Sequence, residues 1–185
     1  MSGYLLKCLE ERLPGCGIVY GWEENCDAYV FAFPLYVDGI PSHLLGALME
    51  HEKGMPIGAR VYAMVNNGFY EGVQNAPAVS MLRNWCARAG LVWGQGLGIG
   101  AGEVLRQIPI PISNVFGYSS MKMLRRALDT LAGHILAGGG GEDIFTHPKF
   151  PLLRALYIFG GNAAFHLQGK MNGLSKQKMK RRLSP

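Results

Sequence analysis

The sequence predicts an α/β protein built on a doubly wound parallel sheet, and three observations carry that prediction. Short apolar runs alternate with longer segments of helical periodicity, as in successive βαβ units. The run Ala28–Phe33 is almost uninterrupted in its apolar character, the pattern of a strand buried on both faces of a parallel sheet. Finally, 49% of the residues are hydrophobic and 26 of the 185 are glycine, which suits a fold of many tight turns. A chain of this length buries about 70% of its extended surface and needs no metal or disulfide staple. One domain over residues 1–137 is expected, followed by a glycine hinge and a basic helical appendage over 138–185.

The elements follow in order. Ser2 is placed to cap a helix from about Gly3 to Arg12, with Leu5, Leu6 and Leu9 on one face, ended by Pro14 and Gly15. Gly17–Tyr20 reads as a short strand, and Ala28–Phe33 as a buried one that Pro34 ends, having no ladder N–H. Pro41 opens a helix to about residue 52, where Leu44, Leu45, Leu48 and Met49 recur at helical spacing. Arg60–Val65 is the next strand, followed by the turn Asn66-Asn67-Gly68. Asn75 can cap a helix over 76–89, whose stripe is Val79, Leu82, Trp85, Cys86 and Ala89, with Gly90 as the C-terminal stop. Leu91–Trp93 begins a strand that runs into the glycine-rich stretch Gly94–Gly102. The longest helix is expected over 119–136. Gly138–Gly141 reads as a flexible hinge, and Phe150–Phe159 and Asn162–Met171 as two short apolar helices.

The loop after Phe33 is where chemistry is expected, because open α/β sheets bind ligands outside the carboxyl ends of their strands. Pro34, Leu35, Tyr36 and Val37 form an apolar platform suited to covering a flat ring. The stretch Phe33-Pro34-Leu35-Tyr36-Val37-Asp38-Gly39-Ile40-Pro41 resembles the flavin-contacting loop of the flavodoxin-like NAD(P)H oxidoreductases, over about residues 3–137. The resemblance implies a flavodoxin-like doubly wound sheet, FMN as cofactor and NADPH or NADH as electron donor. A quinone, a flavin or another small molecule would be the acceptor, and the assembly a homodimer. It also makes Asn66, Asn67, Gly68, Phe69, Tyr70 and Gly72 the loop at the pyrimidine edge of the isoalloxazine. Asn side chains and backbone amides match that edge's alternating donors and acceptors, and Gly68 and Gly72 let the backbone approach. Phe69 and Tyr70 would wall the nicotinamide or acceptor pocket.

The same resemblance places Met1 at the end of the phosphate loop, so the family's central first strand is missing from this chain. The strands at 18–20 and 28–33 would then flank a gap of about 9.6 Å, two strand spacings. Its unpaired amides and carbonyls would cost about 1–3 kcal/mol each, against a domain stability near ~5–15 kcal/mol. Three escapes follow: an earlier start of the protein, inward sliding of the edge strand, or a partner strand in the slot. Ser2, Gly3 and Tyr4 still offer free helix N–H groups to an anion, with weaker FMN binding expected. The rival reading is a flavodoxin-like binding module without redox activity, or a truncated product with impaired FMN binding.

Other chemistries find little support. The cofactor carries hydride transfer, so no catalytic acid is named, and Glu71 reads as a loop carboxylate. After Gly94–Gly102 the helix that a dinucleotide fingerprint needs is broken quickly by Pro109 and Pro111, and these glycines suit close packing or a path to the flavin site. The five histidines are scattered, so no metal site is expected, and no serine sits in a nucleophile elbow. Cys8, Cys16, Cys26 and Cys86 have no ligand spacing and read as reduced thiols of a cytoplasmic protein. No stretch of 18 apolar residues predicts a membrane span. Residues 1–143 hold all 13 acids and 10 Lys/Arg, a balance of −3, whereas 144–185 hold eight Lys/Arg and no acid. The basic end Lys176–Arg182 has no interleaved aromatic, so nucleic acid is not the expected partner, and a solvated tail is.

Overall fold

A computed structural model describes residues 1–23, 25–102, 117–148, 151–175 and 178. The chain forms two compact units, Met1–Lys149 and Phe150–Pro185. The first is an α/β unit with a four-stranded, all-parallel sheet flanked by helices, the arrangement of a flavodoxin-like doubly wound fold.

Its elements are α1 (Ser2–Glu10), β1 (Ala28–Pro34), α2 (Ser42–His51), β2 (Arg60–Asn66), a 3₁₀ turn (Gly72–Asn75), α3 (Ala76–Ala89), β3 (Val92–Ile99), α4 (Gly117–Leu136) and β4 (Ile144–Thr146). The sheet order is β1-β2-β3-β4. Strand β2 is central and alternates strictly between two cores. Val61, Ala63 and Val65 face one core with Leu48, Val79, Leu82 and Trp85 of α2 and α3. Tyr62 and Met64 face the other with Leu5 and Leu9 of α1 and Leu124, Leu128 and Leu131 of α4. Burying one such side chain is worth about 1.5–3 kcal/mol, and both faces of β2 are fully closed.

Strand β3 includes the first glycines of the run that follows Trp93, and a bulge there changes its register. Val61 pairs with Trp93 but Tyr62 pairs with Gln95, leaving Gly94 as the extra residue. A Cβ on Gly94 would lie 2.7 Å from Cδ1 of the Tyr62 ring. The bulge turns Trp93 towards one core while Leu97 and Ile99 face the other. Further along, a Cβ on Gly98 would lie 2.5 Å from Phe145 Cδ1 and 2.9 Å from the Gly72 carbonyl. The glycines thus admit close packing, as the sequence implied. Gly90 ends α3 in the left-handed conformation, φ 73°, with its N–H donating to the Cys86 carbonyl.

Four expectations need correction. Residues 17–20 do not form a strand; they carry no strand assignment and no strand of the described residues pairs with them. Inward sliding of that segment against β1 therefore does not occur, and Val19 and Tyr20 are exposed. Gly138–Gly141 is a packed turn and no hinge, with the Tyr62 hydroxyl donating to the Gly139 carbonyl at 2.5 Å and Gly141 N–H to the Gly94 carbonyl at 3.0 Å. The first unit accordingly extends past residue 137 to Lys149, because β4 pairs with β3. The expected pair of short helices is one helix, α5 (Pro151–Met171), which carries Gly160 and Gly161 in its interior. Residues 103–116, which include Pro109 and Pro111, and the basic run around Lys178 lie outside the described residues.

Strand β1 forms one edge of the sheet. Arg60 N–H donates to the Asp27 carbonyl and Leu35 N–H to the Asn66 carbonyl, so odd-numbered residues bond to β2. Val30 and Ala32 therefore direct N–H and C=O outward, and Pro34 only a carbonyl, as an edge position permits.

Two measurements test this packing. Gly98→Ala should lower stability by about 3 kcal/mol or prevent folding, since both neighbours of the new Cβ are fixed. Gly46→Ala, in α2 with nothing within 4 Å, should instead stabilise by up to ~1 kcal/mol; urea unfolding reads both. Burial pushes the Cys86 thiol up to about 12, from an ordinary value of 9.0. The unfolded chain ionises first, so stability falls as pH rises above about 9, by at most ~1.4 kcal/mol per pH unit. At pH 8 iodoacetamide should label exposed Cys16 and spare Cys86, as read by peptide mass.

Candidate functional site

The carboxyl ends of β1, β2 and β3 lie side by side, so the loops that follow them share one edge of the sheet. The β1 loop is anchored at both ends. Leu35 N–H donates to the Asn66 carbonyl at 2.8 Å, and Leu35 and Ile40 pack into the α2–α3 core. Between these anchors Tyr36 and Gly39 exchange two backbone hydrogen bonds, N–H to O=C at 3.2 and 3.0 Å. Val37 and Asp38 have φ of 47° and 57°, which makes this a two-residue turn of the I′ kind.

Asp38 tolerates that conformation, whereas Val37 does not. A β-branched residue in the left-handed region is a true outlier. Its side chain is 102% exposed, so no packing offsets the strain. Tyr36 beside it is 58% exposed. Pro41 sits one position ahead of the helix, as N-cap of α2 with ψ 136°, and its carbonyl accepts the Leu45 N–H.

The N-terminus of α1 reaches the same edge. Asn66 Nδ2 donates to Ser2 Oγ at 3.0 Å and to the Phe33 carbonyl at 3.2 Å. One buried amide therefore ties β1, β2 and the start of α1 together. The first intrahelical bond runs from Leu5 N–H to the Met1 carbonyl, so the amides of Ser2, Gly3 and Tyr4 have no acceptor within the helix. Ser2 stands inside the helix, with Met1 as N-cap. Its hydroxyl is an acceptor for Asn66, which displaces the expected capping role. The Tyr4 hydroxyl titrates above its ordinary value, chiefly through its hydrogen bond with Cys8 and then through burial. Tyr4 thus reaches the helix N-terminus through its amide, its hydroxyl being turned along α1.

The β2 loop folds on itself. Asn67 Oδ1 accepts the Phe69 N–H at 3.0 Å and its Nδ2 donates to the Glu71 carbonyl at 3.2 Å. The loop is also laced to the end of β3: Asn67 N–H donates to the Ile99 carbonyl, Gly102 N–H to the Asn67 carbonyl and Ala101 N–H to the Phe69 carbonyl. Phe69 is 54% exposed, but Tyr70 is only 6% exposed and its hydroxyl donates to the Pro148 carbonyl at 2.5 Å. Tyr70 is therefore a brace between this loop and the segment after β4, and Phe69 is the aromatic that reaches the surface. Gly72 is buried against Thr146 and the Gly98 carbonyl, so its missing Cβ serves the protein's own packing.

Ser2, Pro34, Leu35 and Asn66 are thus joined by direct contacts, and Asn67 and Phe69 are held beside them through β3. The tips Tyr36 and Phe69 share the edge, with no ring contact between them among the described residues. Loops 35–41 and 67–72 carry two acids, Asp38 and Glu71, and no Lys or Arg. Within these two loops an anion would meet no side-chain cation. The groups described contain no cluster of His, Cys, Asp or Glu able to hold a metal.

Sequence reasoning missed two residues here. Ala101 takes φ 52° where a glycine would be cheaper, and only its position between Gly100 and Gly102 hinted at an unusual backbone. Asn75 is fully buried; Nδ2 donates to the carbonyls of Gly72 and Ile99, while Oδ1 has no partner among the described residues. Comparison with known proteins found no matching family model, no matching curated protein and no matching solved structure.

Val37→Asn, which tolerates the left-handed region, should raise stability by about 1 kcal/mol in urea unfolding. An unchanged or lower midpoint would mean that Val37 gains something that compensates its backbone.

Proposed function

We propose that this protein binds FMN at the carboxyl edge of its sheet and passes electrons from NADPH or NADH to a small acceptor such as a quinone or a flavin. The observation that carries this reading is the rigid turn at Tyr36–Gly39, which holds an exposed aromatic on the sheet edge that Asn66 ties to the start of α1. There the amides of Ser2, Gly3 and Tyr4 have no acceptor within the helix. An isoalloxazine needs a flat apolar face, a polar edge and an anion site for its phosphate. Tyr36 with Leu35 and Val37 suits the face, the backbone of Asn66 to Phe69 suits the edge, and the amides of Ser2, Gly3 and Tyr4 suit the phosphate. The bound flavin would supply the chemistry, accepting hydride from the nicotinamide and reducing the acceptor. The chain's own part would be positioning and water exclusion, with Phe69 lining the face on which donor and acceptor alternate. A homodimer would be a natural way to close a site this open.

One observation favours a second reading, a flavodoxin-like module that binds a flat anionic ligand without turnover. The side-chain amides of Asn66 and Asn67 and the hydroxyl of Tyr70 donate to the protein's own oxygens, which leaves recognition of a ring edge to the backbone.

Flavin fluorescence during FMN titration separates the two. The oxidoreductase reading expects saturable binding, bleaching of the yellow colour by NADPH, and a loss of affinity of about tenfold in Tyr36→Ala. Binding without bleaching supports the module. No binding at micromolar FMN overturns the oxidoreductase reading.

A further inference from the structure

Residues 150–185 contain seven Lys/Arg and no acidic residue, five of the seven lying between Lys176 and Arg182. Helix α5 just before this run is long, and between Arg154 and Lys170 it has no Lys, Arg, Asp or Glu. Leu156, Phe159, Ala163, Leu167 and Met171 recur at spacings of three and four, so they form one stripe along the helix. All five are exposed, the four large ones by more than half. The helix end is firmly built. Gly173, at φ 73°, donates to the Lys170 carbonyl and Leu174 N–H donates to the Gly169 carbonyl, a Schellman stop that separates the apolar stripe from the basic run.

Charge and apolar surface together select the partner. A second copy packed stripe to stripe in parallel would set two basic runs side by side. A nucleic acid would satisfy the cations and leave the stripe in water. An anionic bilayer satisfies both, and no described helix is long and apolar enough to cross one. We infer that α5 and the basic run after it dock on an anionic lipid surface, with the Leu156–Phe159–Leu167–Met171 stripe turned to the acyl chains. Lys170 lies at the C-terminal end of the stripe, where a long cationic side chain reaches headgroups.

The test is co-sedimentation of the full chain with phosphatidylcholine vesicles, with and without phosphatidylglycerol, in the absence of flavin. Partitioning should be at least about tenfold stronger on the anionic vesicles and should fall as salt is raised. Leu156→Gln with Phe159→Gln and Leu167→Gln should cut it by about tenfold or more, with unchanged circular dichroism because the three are exposed. Gln at Lys176, Lys178, Lys180, Arg181 and Arg182 should cut it comparably. No sedimentation with anionic vesicles overturns the proposal. So does equal partitioning of the stripe variant and the parent, which would mean charge adsorption alone. A dimer, seen by light scattering, that the stripe variant abolishes would assign the surface to a second copy and likewise overturn it.

Discussion

The carboxyl edge of the sheet depends on backbone laid directly on backbone. The 3₁₀ turn Gly72–Asn75 sits against β3 and β4 so closely that Gly72, Gly98 and Gly100 have no room for a side chain. Gly100 N–H donates to the Thr146 carbonyl and Asn67 N–H to the Ile99 carbonyl across this seam. Asn75 adds two further bonds within it, to Gly72 and Ile99. An unpaired buried oxygen such as its Oδ1 costs about 1–3 kcal/mol. Set against that cost are the two hydrogen bonds that the same amide donates to the Gly72 and Ile99 carbonyls. The position of loop 67–72 is inherited from β3 through these contacts, and so is the position of Phe69.

A single carboxylate does comparable work at the other side of β3. Asp143, just before β4, accepts the Gly96 N–H at 2.8 Å and the Trp93 indole N–H at 3.0 Å, and it pairs with Arg83 of α3. A Cβ at Gly96 would lie 3.1 Å from that same oxygen, so the glycine is what admits the contact. Charge-assisted bonds of this kind are about twice as strong as neutral ones. They hold β4, only three residues long, in the sheet.

What could be read in the sequence follows from how local each signal is. The helical stripes of α1 and α3, the strand β1 and the Gly90 stop depend on neighbours within a few residues and are present. The same holds for the loop after Phe33, whose Pro, Gly and Asp residues announce a turn. Strand β1 is, however, an edge strand in which only Tyr29 and Phe33 are buried, not a run buried on both faces. Contacts between residues distant in the chain left no such trace: Arg12 with Asp129 is one, and the pairing of β4 with β3 another. Residues 17–20 show the limit from the other side. Their apolar character suits a strand, but a strand exists only with a neighbour, and none of the described strands lies beside them. Asn66, Asn67 and Tyr70 stood out by type as candidates for a ring edge, but what they donate to was settled by partners far along the chain or within the loop itself.

Strain at Val37 has a different meaning from the close packing of the seam. At Gly98 or Gly72 the missing side chain admits backbone contacts that the fold needs. At Val37 the side chain touches nothing, so folding gains nothing from valine there, and asparagine or glycine would be cheaper by about 1–2 kcal/mol. Strain of this kind concentrates where a surface acts on something outside the chain. The turn that bears it is fixed at both ends by Leu35 and Ile40 and stiffened by two hydrogen bonds, so its tip cannot relax without losing them. A rigid, exposed pair of apolar side chains on the edge that the positive end of a helix also reaches loses little conformational entropy on meeting a flat anionic ligand. That economy is the physical reason to test the proposed ligand here before anywhere else on the sheet.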